Sequence, residues 1–390
     1  MRMPALLLGA FLLAACGAAP QAGASASRTA VVSPSVSPSP SPFASPSASG
    51  SPPAGVQAHC TGAIPTADPL ALISLTGSQT PTLADVSDAA HPAALCTITG
   101  PADALRLVSP AEISYATAGT GSAGSIATID PSSNTGGTVA SWTAGAFASG
   151  AYAFSPDGST LAYLASNAAG VELHLVARED DRTITTLPPV PGRGISPDDD
   201  SLMIAFSPDG VYLALVETFT GSGTGAQASF QVRRLDGSLV AGGPVGRTMA
   251  TWAGRGSVLY FRDRAGVERW TAPSTVSAVL PGVVWIHPRP SPDGRWIAFT
   301  QRGDLGLPSV RLLDLTSGAV RQLATGASEP VFLNSTTIWY RQERLCGPSD
   351  DCGMGGPSIA TGAAFTYDLS SGRSSQSTIA GVIDTFTPAR

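Results

Sequence analysis

The sequence predicts an all-β protein, and three observations lead to that prediction. First, all 22 cationic residues are Arg and Glu occurs only 7 times against 21 Asp, so the residues that form the solvent faces of most helices are scarce. Second, 43 Gly and 33 Pro indicate frequent turns. Third, apolar and polar residues alternate in short segments between those turns, which is the period of a half-buried strand.

Three segments align without gaps and show this strand pattern most clearly. They are AFSPDGSTLAYLA from Ala153, AFSPDGVYLALVE from Ala205 and RPSPDGRWIAFTQ from Arg289. In each, Pro fixes φ at the first central position of a tight turn, Asp suits the second, and Gly accepts positive φ at the exit. We therefore expect Ser-Pro-Asp-Gly to join two antiparallel strands and to serve the scaffold rather than a site.

Weaker copies of this repeat begin at Leu107, Thr251 and Val331. Together the six copies place the serine position of the repeat at 109, 155, 207, 253, 291 and 333, about 45 residues apart, which is enough for four short strands with turns. Four-stranded sheets repeated along a chain close radially, so the sequence predicts a six-bladed β-propeller over residues 58–390, with seven blades as the alternative. Residues 60–95 match no repeat; they either close the ring by pairing with the last blade or form a seventh, partial blade.

The repeat resembles that of the TolB-like six-bladed propellers, in which an aromatic residue precedes Ser-Pro-Asp-Gly and an apolar strand follows it. The resemblance covers about residues 96–390 and implies the propeller fold. It does not carry over a role in the Tol–Pal system, because a Ser/Pro-rich segment stands where the periplasmic member of that family has an α/β domain. Prolyl oligopeptidases have a similar propeller, but this sequence contains no G-x-S-x-G elbow, so no peptidase activity is implied.

The N-terminal residues predict export and a lipid anchor. One Arg precedes an apolar stretch of about twelve residues, which is shorter than the roughly twenty that a spanning helix needs, so residues 1–15 are interpreted as a signal peptide. Leu13-Ala14-Ala15-Cys16 resembles a bacterial lipobox, which implies that Cys16 carries fatty acyl chains such as palmitate; an ordinary secretory peptide is the alternative. The expected location is the outer face of the bacterial cytoplasmic membrane.

The segment that follows, residues 16–57, is predicted to be a disordered linker. Residues 33–53 contain 16 Ser or Pro among 21, and such a composition cannot bury enough apolar surface to fold. The linker would hold the propeller away from the membrane.

The remaining four cysteines predict two disulfides, because an even number in an exported chain indicates pairing. Three pairings are possible, and we expect Cys60 with Cys96 and Cys346 with Cys352. A metal site is not expected at these residues, since the sequence has no C-x-x-C.

Loop lengths predict which side of the propeller binds a ligand. In a four-stranded blade, the turns between the first and second strands and between the third and fourth lie on one side, which we call the turn face. The loops between the second and third strands and the links between blades lie on the other side, the loop face. Loops there are long and varied, and variable loops on a rigid scaffold carry recognition. Candidate ligand-binding residues are Asp198, Asp199, Asp200, His287, Arg289, Trp339, Arg341, Arg344, Asp350 and Asp351.

These candidates fall into three groups. The Asp clusters 198–200 and 350–351 would supply oxygen ligands to Ca²⁺, although the simpler interpretation is a solvated turn without a cofactor. Arg341 and Arg344, with Trp339 and Asp350, would form a mixed polar and aromatic patch. His287 and Arg289 belong to the predicted innermost strand of the fifth blade, which places them near the central channel; a structural His is the alternative.

Charge and motifs restrict the function. A formal charge of −6 without a basic run argues against a nucleic-acid partner, and no catalytic motif is present, so no catalytic residue is assigned. The sequence predicts a monomeric, membrane-anchored, non-catalytic propeller that binds an envelope protein, a peptide or a glycan through its loop face. The alternative is an enzyme acting on cell-envelope or extracellular carbohydrate, which would use residues 198–200 with His287.

Overall fold

The computed structural model describes residues 55–386, apart from residues 79, 119–123, 143–151, 168–169, 179, 188–201, 222–224, 244–246, 255, 303–305, 348–349 and 351–357. Within these residues the chain forms 29 β-strands and no helix, so the all-β prediction is confirmed. The search of the described residues for a helix long and apolar enough to cross a membrane finds none.

The strands form seven antiparallel sheets, which are the blades of a β-propeller. The first four strands are β1 (Gln57–Cys60), β2 (Leu70–Leu75), β3 (Thr82–Asp85) and β4 (Ala93–Thr99). Blade 1 consists of β5 (Asp103–Ser109), β6 (Glu112–Ala118), β7 (Gly124–Asp130) and β8 (Thr135–Trp142). Blade 2 consists of β9 (Tyr152–Phe154), β10 (Thr160–Asn167), β11 (Gly170–Ala177) and β12 (Asp180–Leu187). Blade 3 consists of β13 (Leu202–Phe206), β14 (Tyr212–Gly221), β15 (Gly225–Arg234) and β16 (Leu239–Gly243).

The second half of the ring repeats this order. Blade 4 consists of β17 (Thr248–Trp252), β18 (Val258–Asp263), β19 (Gly266–Thr271) and β20 (Thr275–Pro281). Blade 5 consists of β21 (Trp285–Pro290), β22 (Trp296–Gln301), β23 (Ser309–Asp314) and β24 (Val320–Thr325). Blade 6 consists of β25 (Ala327–Phe332), β26 (Thr337–Leu345), β27 (Ser358–Asp368) and β28 (Arg373–Gln376), and the last strand is β29 (Ile379–Phe386).

Blade 7 closes the ring by joining strands from both ends of the described chain. Its strand order is β1-β4-β3-β2-β29, with β29 in the innermost position. The count of six blades is therefore corrected to seven, which was the alternative. In the other six blades a repeat turn connects the first two strands. In blade 7 the first two strands are β29 and β2, which are not consecutive in the chain, so this blade has no such turn. Residues 60–95 thus both close the ring and supply most of a seventh blade.

The Ser-Pro-Asp-Gly turns form as the repeat predicted. In blade 3 the Oγ of Ser207 donates a hydrogen bond to Asp209 at 2.5 Å and accepts one from the backbone N–H of Tyr212 at 2.9 Å. Gly210 has φ +70° at the exit of the turn. The turns that begin at Ser155 and Ser291 make the same bonds. The serine and aspartate of each turn are therefore used inside the turn.

Four innermost strands also share a β-bulge that the sequence did not predict. In blades 1, 4, 5 and 6 the register shifts at the same place. At each shift one residue other than glycine has positive φ, near +50°: Ala104, Met249, His287 and Glu329. The backbone there bonds to the neighbouring blade. For example, Nε1 of Trp285 donates to the carbonyl of Met249 at 3.1 Å, and the N–H of Glu329 donates to Oγ1 of Thr300 at 3.0 Å.

The hydrophobic core lies between neighbouring blades. One cluster joins blades 7 and 1 through Leu72 and Ile113, and another joins blades 3 and 4 through Phe230 and Phe261. Large aromatic side chains, including Trp270 and Trp285, are almost completely buried at these contacts. Burial of apolar surface between sheets therefore holds the blades together. The turns and loops lie outside this core, on the turn face and the loop face.

Candidate functional site

The sequence-predicted loop-face residues are only partly within the described chain. Residues 198–200, Asp351 and Cys352 lie outside it, as do Cys16, the signal peptide and the linker up to residue 54. The last residue assigned to the linker, Gln57, is the first residue of β1. Cys346 is disulfide-bonded. Its pairing with Cys352 stays a prediction. The Cys60–Cys96 disulfide is present, and it joins directly opposed residues of β1 and β4.

Arg344 and Asp350 form a bidentate ion pair on the loop face of blade 6. The guanidinium nitrogens Nη1 and Nη2 of Arg344 donate to the two carboxylate oxygens of Asp350 at 2.6 and 2.8 Å. The N–H of Gly347 donates to the same carboxylate at 2.6 Å. The pairing with Arg344 lowers the pKa of Asp350 to about 2. The pair ties Asp350 to the end of β26, while the side chain of Arg344 remains 52% exposed.

Trp339 and Arg341 have different environments although they are two residues apart on β26. Trp339 is 1% exposed and its Nε1 donates to the carbonyl of Ile379 in blade 7 at 3.0 Å. This corrects the expectation that Trp339 belongs to a surface patch, because its ring packs in the core between blades 6 and 7. Arg341 remains 42% exposed, pairs with Glu329 at 3.1 Å and lies 5.8 Å above the Trp339 ring. It is therefore the guanidinium, and not the indole, that is accessible at this point.

His287 and Arg289 are in the innermost strand of blade 5, as predicted. His287 is half-buried, and it is the residue with positive φ in the bulge of this strand. The structure therefore assigns it a part in shaping the backbone of β21. Arg289 is exposed. It is close enough to Asp384, on the innermost strand of blade 7, to favour the charged form of that carboxylate.

Asp384 is the centre of a charged cluster in the channel that the sequence did not reveal. Its Oδ2 accepts a hydrogen bond from the N–H of Leu107 in blade 1 at 2.7 Å. Burial raises the pKa of Asp384, while the positive charges of Arg106 and Arg289 act in the opposite direction. Three innermost strands therefore contribute two guanidinium groups and one carboxylate to the same region.

The sequence also did not predict two carboxylates towards the loop face, those of Glu329 and Glu343. Glu329 pairs with Arg341 across the first two strands of blade 6. Glu343 is buried, accepts a hydrogen bond from Ser358 and lies 3.9 Å from Arg302 of blade 5. No motif marks these residues, because each becomes part of a cluster only through contacts between strands and blades.

The described part of the chain contains no group of three or more His, Cys, Asp or Glu side chains arranged to hold a metal ion. The calcium hypothesis for residues 198–200 concerns residues outside that part, and it stays a prediction. The same applies to the carbohydrate-enzyme alternative, which needs those residues near His287.

The fold and these sites define a seven-bladed β-propeller with a repeated turn on one face and a charged cluster on its innermost strands. No protein family model matches the chain, and no curated protein matches it. Solved structures do match.

Oligogalacturonate lyase from Vibrio parahaemolyticus is similar at a TM-score of 0.52 and 9% identity, over 80% of this chain and 86% of that one. A prolyl endopeptidase is similar at a TM-score of 0.50 and 12% identity, over 86% of this chain and 51% of that one. TolB from Acinetobacter baumannii is similar at a TM-score of 0.45 and 16% identity, over 82% of this chain and 66% of that one. At these identities the likeness to the lyase and the endopeptidase shows the propeller fold alone. The chain spans just under two thirds of TolB and about half of the endopeptidase.

Proposed function

We propose that the protein is a lipid-anchored, extracytoplasmic, non-catalytic propeller that binds a protein, a peptide or a glycan through its loop face. The observation that carries the proposal is the pair of loop-face arginines that are held by carboxylates and yet exposed, whereas the polar side chains of the repeat itself are already bonded on the turn face. On the turn face, the serine and aspartate side chains of the repeat bond to their own turns. On the loop face of blade 6, Arg341 and Arg344 are each held by a carboxylate yet keep about half of the side chain exposed.

An arginine held in this way suits recognition. Its planar guanidinium has five N–H donors, of which one carboxylate uses two at most, so others remain for a ligand. Because the ion pair already fixes the side chain, less conformational entropy is lost on binding. The Cys60–Cys96 disulfide supports the proposed location, since such bonds persist outside the reducing cytosol.

The test of the loop face is cross-linking in intact cells with the wild type and two double variants. Arg341→Gln with Arg344→Gln removes two charges from the loop face, and Arg269→Gln with Arg373→Gln removes two exposed charges elsewhere. We expect the wild type and the second variant to recover the same partner, and the first variant to recover much less of it. Recovery that is equal for both variants, or a purified chain that binds nothing in peptide and glycan screens, would contradict the proposal.

The test of the anchor is mass spectrometry of the mature protein. We expect cleavage before Cys16 and acyl chains on that residue, and a Cys16→Ala variant that is no longer held in the membrane fraction. A mature N-terminus elsewhere, with Cys16 unmodified, would refute the anchor while leaving the binding proposal to be judged by the cross-linking result.

A further inference from the structure

A second potential binding site lies on the turn face, opposite to the loop face. It is a cleft of about 550 Å³ between blades 5 and 6. Blade 5 contributes Asp293, Arg295, Trp296, Asp314, Ala319 and Arg321, and blade 6 contributes Ser335, Thr336, Leu369 and Ser370. The cleft is thus formed by the turns of both blades and by the strand ends next to them.

Two guanidinium groups meet at one indole in this cleft. The guanidinium carbon of Arg295 lies 4.5 Å from the centre of the Trp296 ring, and that of Arg321 lies 5.5 Å from it. Cation–π attraction of this kind holds the flat guanidinium against the ring. Both guanidinium groups therefore lie on the same side of the cleft, next to the Trp296 indole.

The two guanidiniums keep most of their hydrogen-bond donors. Among the described residues, Arg321 forms no ion pair. The guanidinium of Arg295 lies 3.9 Å from Oδ2 of Asp314, which is longer than a hydrogen bond. The other oxygen of Asp314 accepts from the N–H groups of Thr316 and Ser317. One oxygen of Asp314 and one of Asp293 are thus bonded within the turns, and neither carboxylate forms a hydrogen bond to the Arg295 or Arg321 guanidinium, whose N–H groups remain available to an anion.

We propose that this cleft binds an acidic peptide segment. A carboxylate side chain of the peptide would receive hydrogen bonds from Arg295 and Arg321, and a neighbouring aliphatic side chain would lie against Leu369 and Ala319. Charge-assisted bonds from guanidinium to carboxylate are the strong pairing for these groups.

Two features favour a peptide over other anions. A sugar acid binds aromatic residues by stacking its ring on an open face, but here Arg295 already lies over the Trp296 ring. Asp293 and Asp314 at the rim would repel a ligand with many negative charges, such as a nucleic acid. A peptide with one or two carboxylates in an otherwise apolar segment needs no open ring face and carries too little charge to be repelled.

The experiment measures fluorescence anisotropy of a labelled decapeptide with two Glu in an otherwise apolar sequence. The counterpart in which both Glu are Gln is the control ligand. The protein is the full chain as wild type, as Arg295→Gln with Arg321→Gln, and as Arg264→Gln with Arg269→Gln. The last variant removes two exposed arginines of blade 4, so it matches the loss of charge. Trp296→Phe and oligogalacturonate competition are two further arms.

We expect the acidic peptide to bind more tightly than its Gln counterpart and to lose about tenfold in affinity in the Arg295 and Arg321 variant. The blade 4 variant should stay within about twofold of the wild type, since exposed charges outside a site contribute little. Trp296→Phe should weaken binding while circular dichroism shows the fold intact. Absence of binding, equal loss in both double variants, or displacement by oligogalacturonate with the same dependence on Arg295 and Arg321 would each overturn the proposal.

Discussion

The Cys60–Cys96 disulfide should be a major support of the closing blade, and its removal tests how the ring is held shut. β1 has four residues, and β4 is the one strand with which it pairs. The side chain of Asn134 in blade 1 adds two hydrogen bonds, from the N–H of Ala58 and to its carbonyl. The perturbation is Cys60→Ala with Cys96→Ala, which leaves no free thiol at either position.

The magnitude follows from the loop that the bond closes. The two cysteines are 36 residues apart. By the entropy of loop closure in the unfolded chain, a cross-link over that distance contributes about 4 kcal/mol. We therefore expect the double variant to unfold at a clearly lower guanidinium concentration, and the amide of Ala58 to exchange with solvent faster than in the wild type.

The assay is denaturant unfolding followed by both fluorescence and circular dichroism, together with hydrogen exchange. Coincidence of the two unfolding curves checks that a single free energy describes the transition. Thr61→Ala is the control, because it changes an exposed residue next to Cys60 without removing the cross-link, and it should cost less than about 0.5 kcal/mol. An unchanged midpoint with unchanged exchange over residues 57–60 would refute the reasoning.

Three further predictions concern single side chains. Ser207→Ala should cost about 1–3 kcal/mol in denaturant unfolding, because it leaves the buried N–H of its turn without an acceptor; an exposed Ser317→Ala variant should change little, and an equal effect of both would contradict this. Trp339→Phe should destabilise by a similar amount, about 1–3 kcal/mol, through loss of its bond to the closing strand, and an unchanged unfolding curve would disprove it. Burial raises the pKa of Asp384, so the folded protein holds that proton more tightly than the unfolded one. Its contribution to stability is complete below the ordinary pKa of about 4 and is lost as pH rises through the folded pKa. Asp384→Asn should therefore flatten the fall in melting temperature between pH 4 and pH 7, and a slope equal to that of the wild type would show the assignment to be wrong.

The repeat allowed much of the fold to be predicted, because Ser-Pro-Asp-Gly has local chemistry that determines its conformation without help from the rest of the chain. The bulges are different. Their positive-φ residues are Ala104, Met249, His287 and Glu329, and of these only His is a residue type enriched in this conformation. The conformation is imposed by bonds to neighbouring blades, so no local pattern indicates it.

The candidate site was less predictable for a related reason. The sequence places Trp339, Arg341 and Arg344 on one strand, but it does not show which side of that strand faces another blade. The structure buries Trp339 and leaves both arginines exposed. Asp384 and Arg106 are 278 positions apart and come together only because β29 closes the ring beside β5. Long-range closure of this kind leaves no trace in residue spacing.

The position of the disulfide also has a mechanical consequence. Any pull on the chain before residue 57 enters the folded domain at the start of β1, the outermost strand of blade 7. Peeling β1 from β4 would break its hydrogen bonds one after another, but the covalent link at Cys60 stops this after three residues. The load then passes into β4, whose neighbours β3 and β2 connect it to the C-terminal strand at the centre of the ring. A force applied at the N-terminus is thus shared by the whole closing blade.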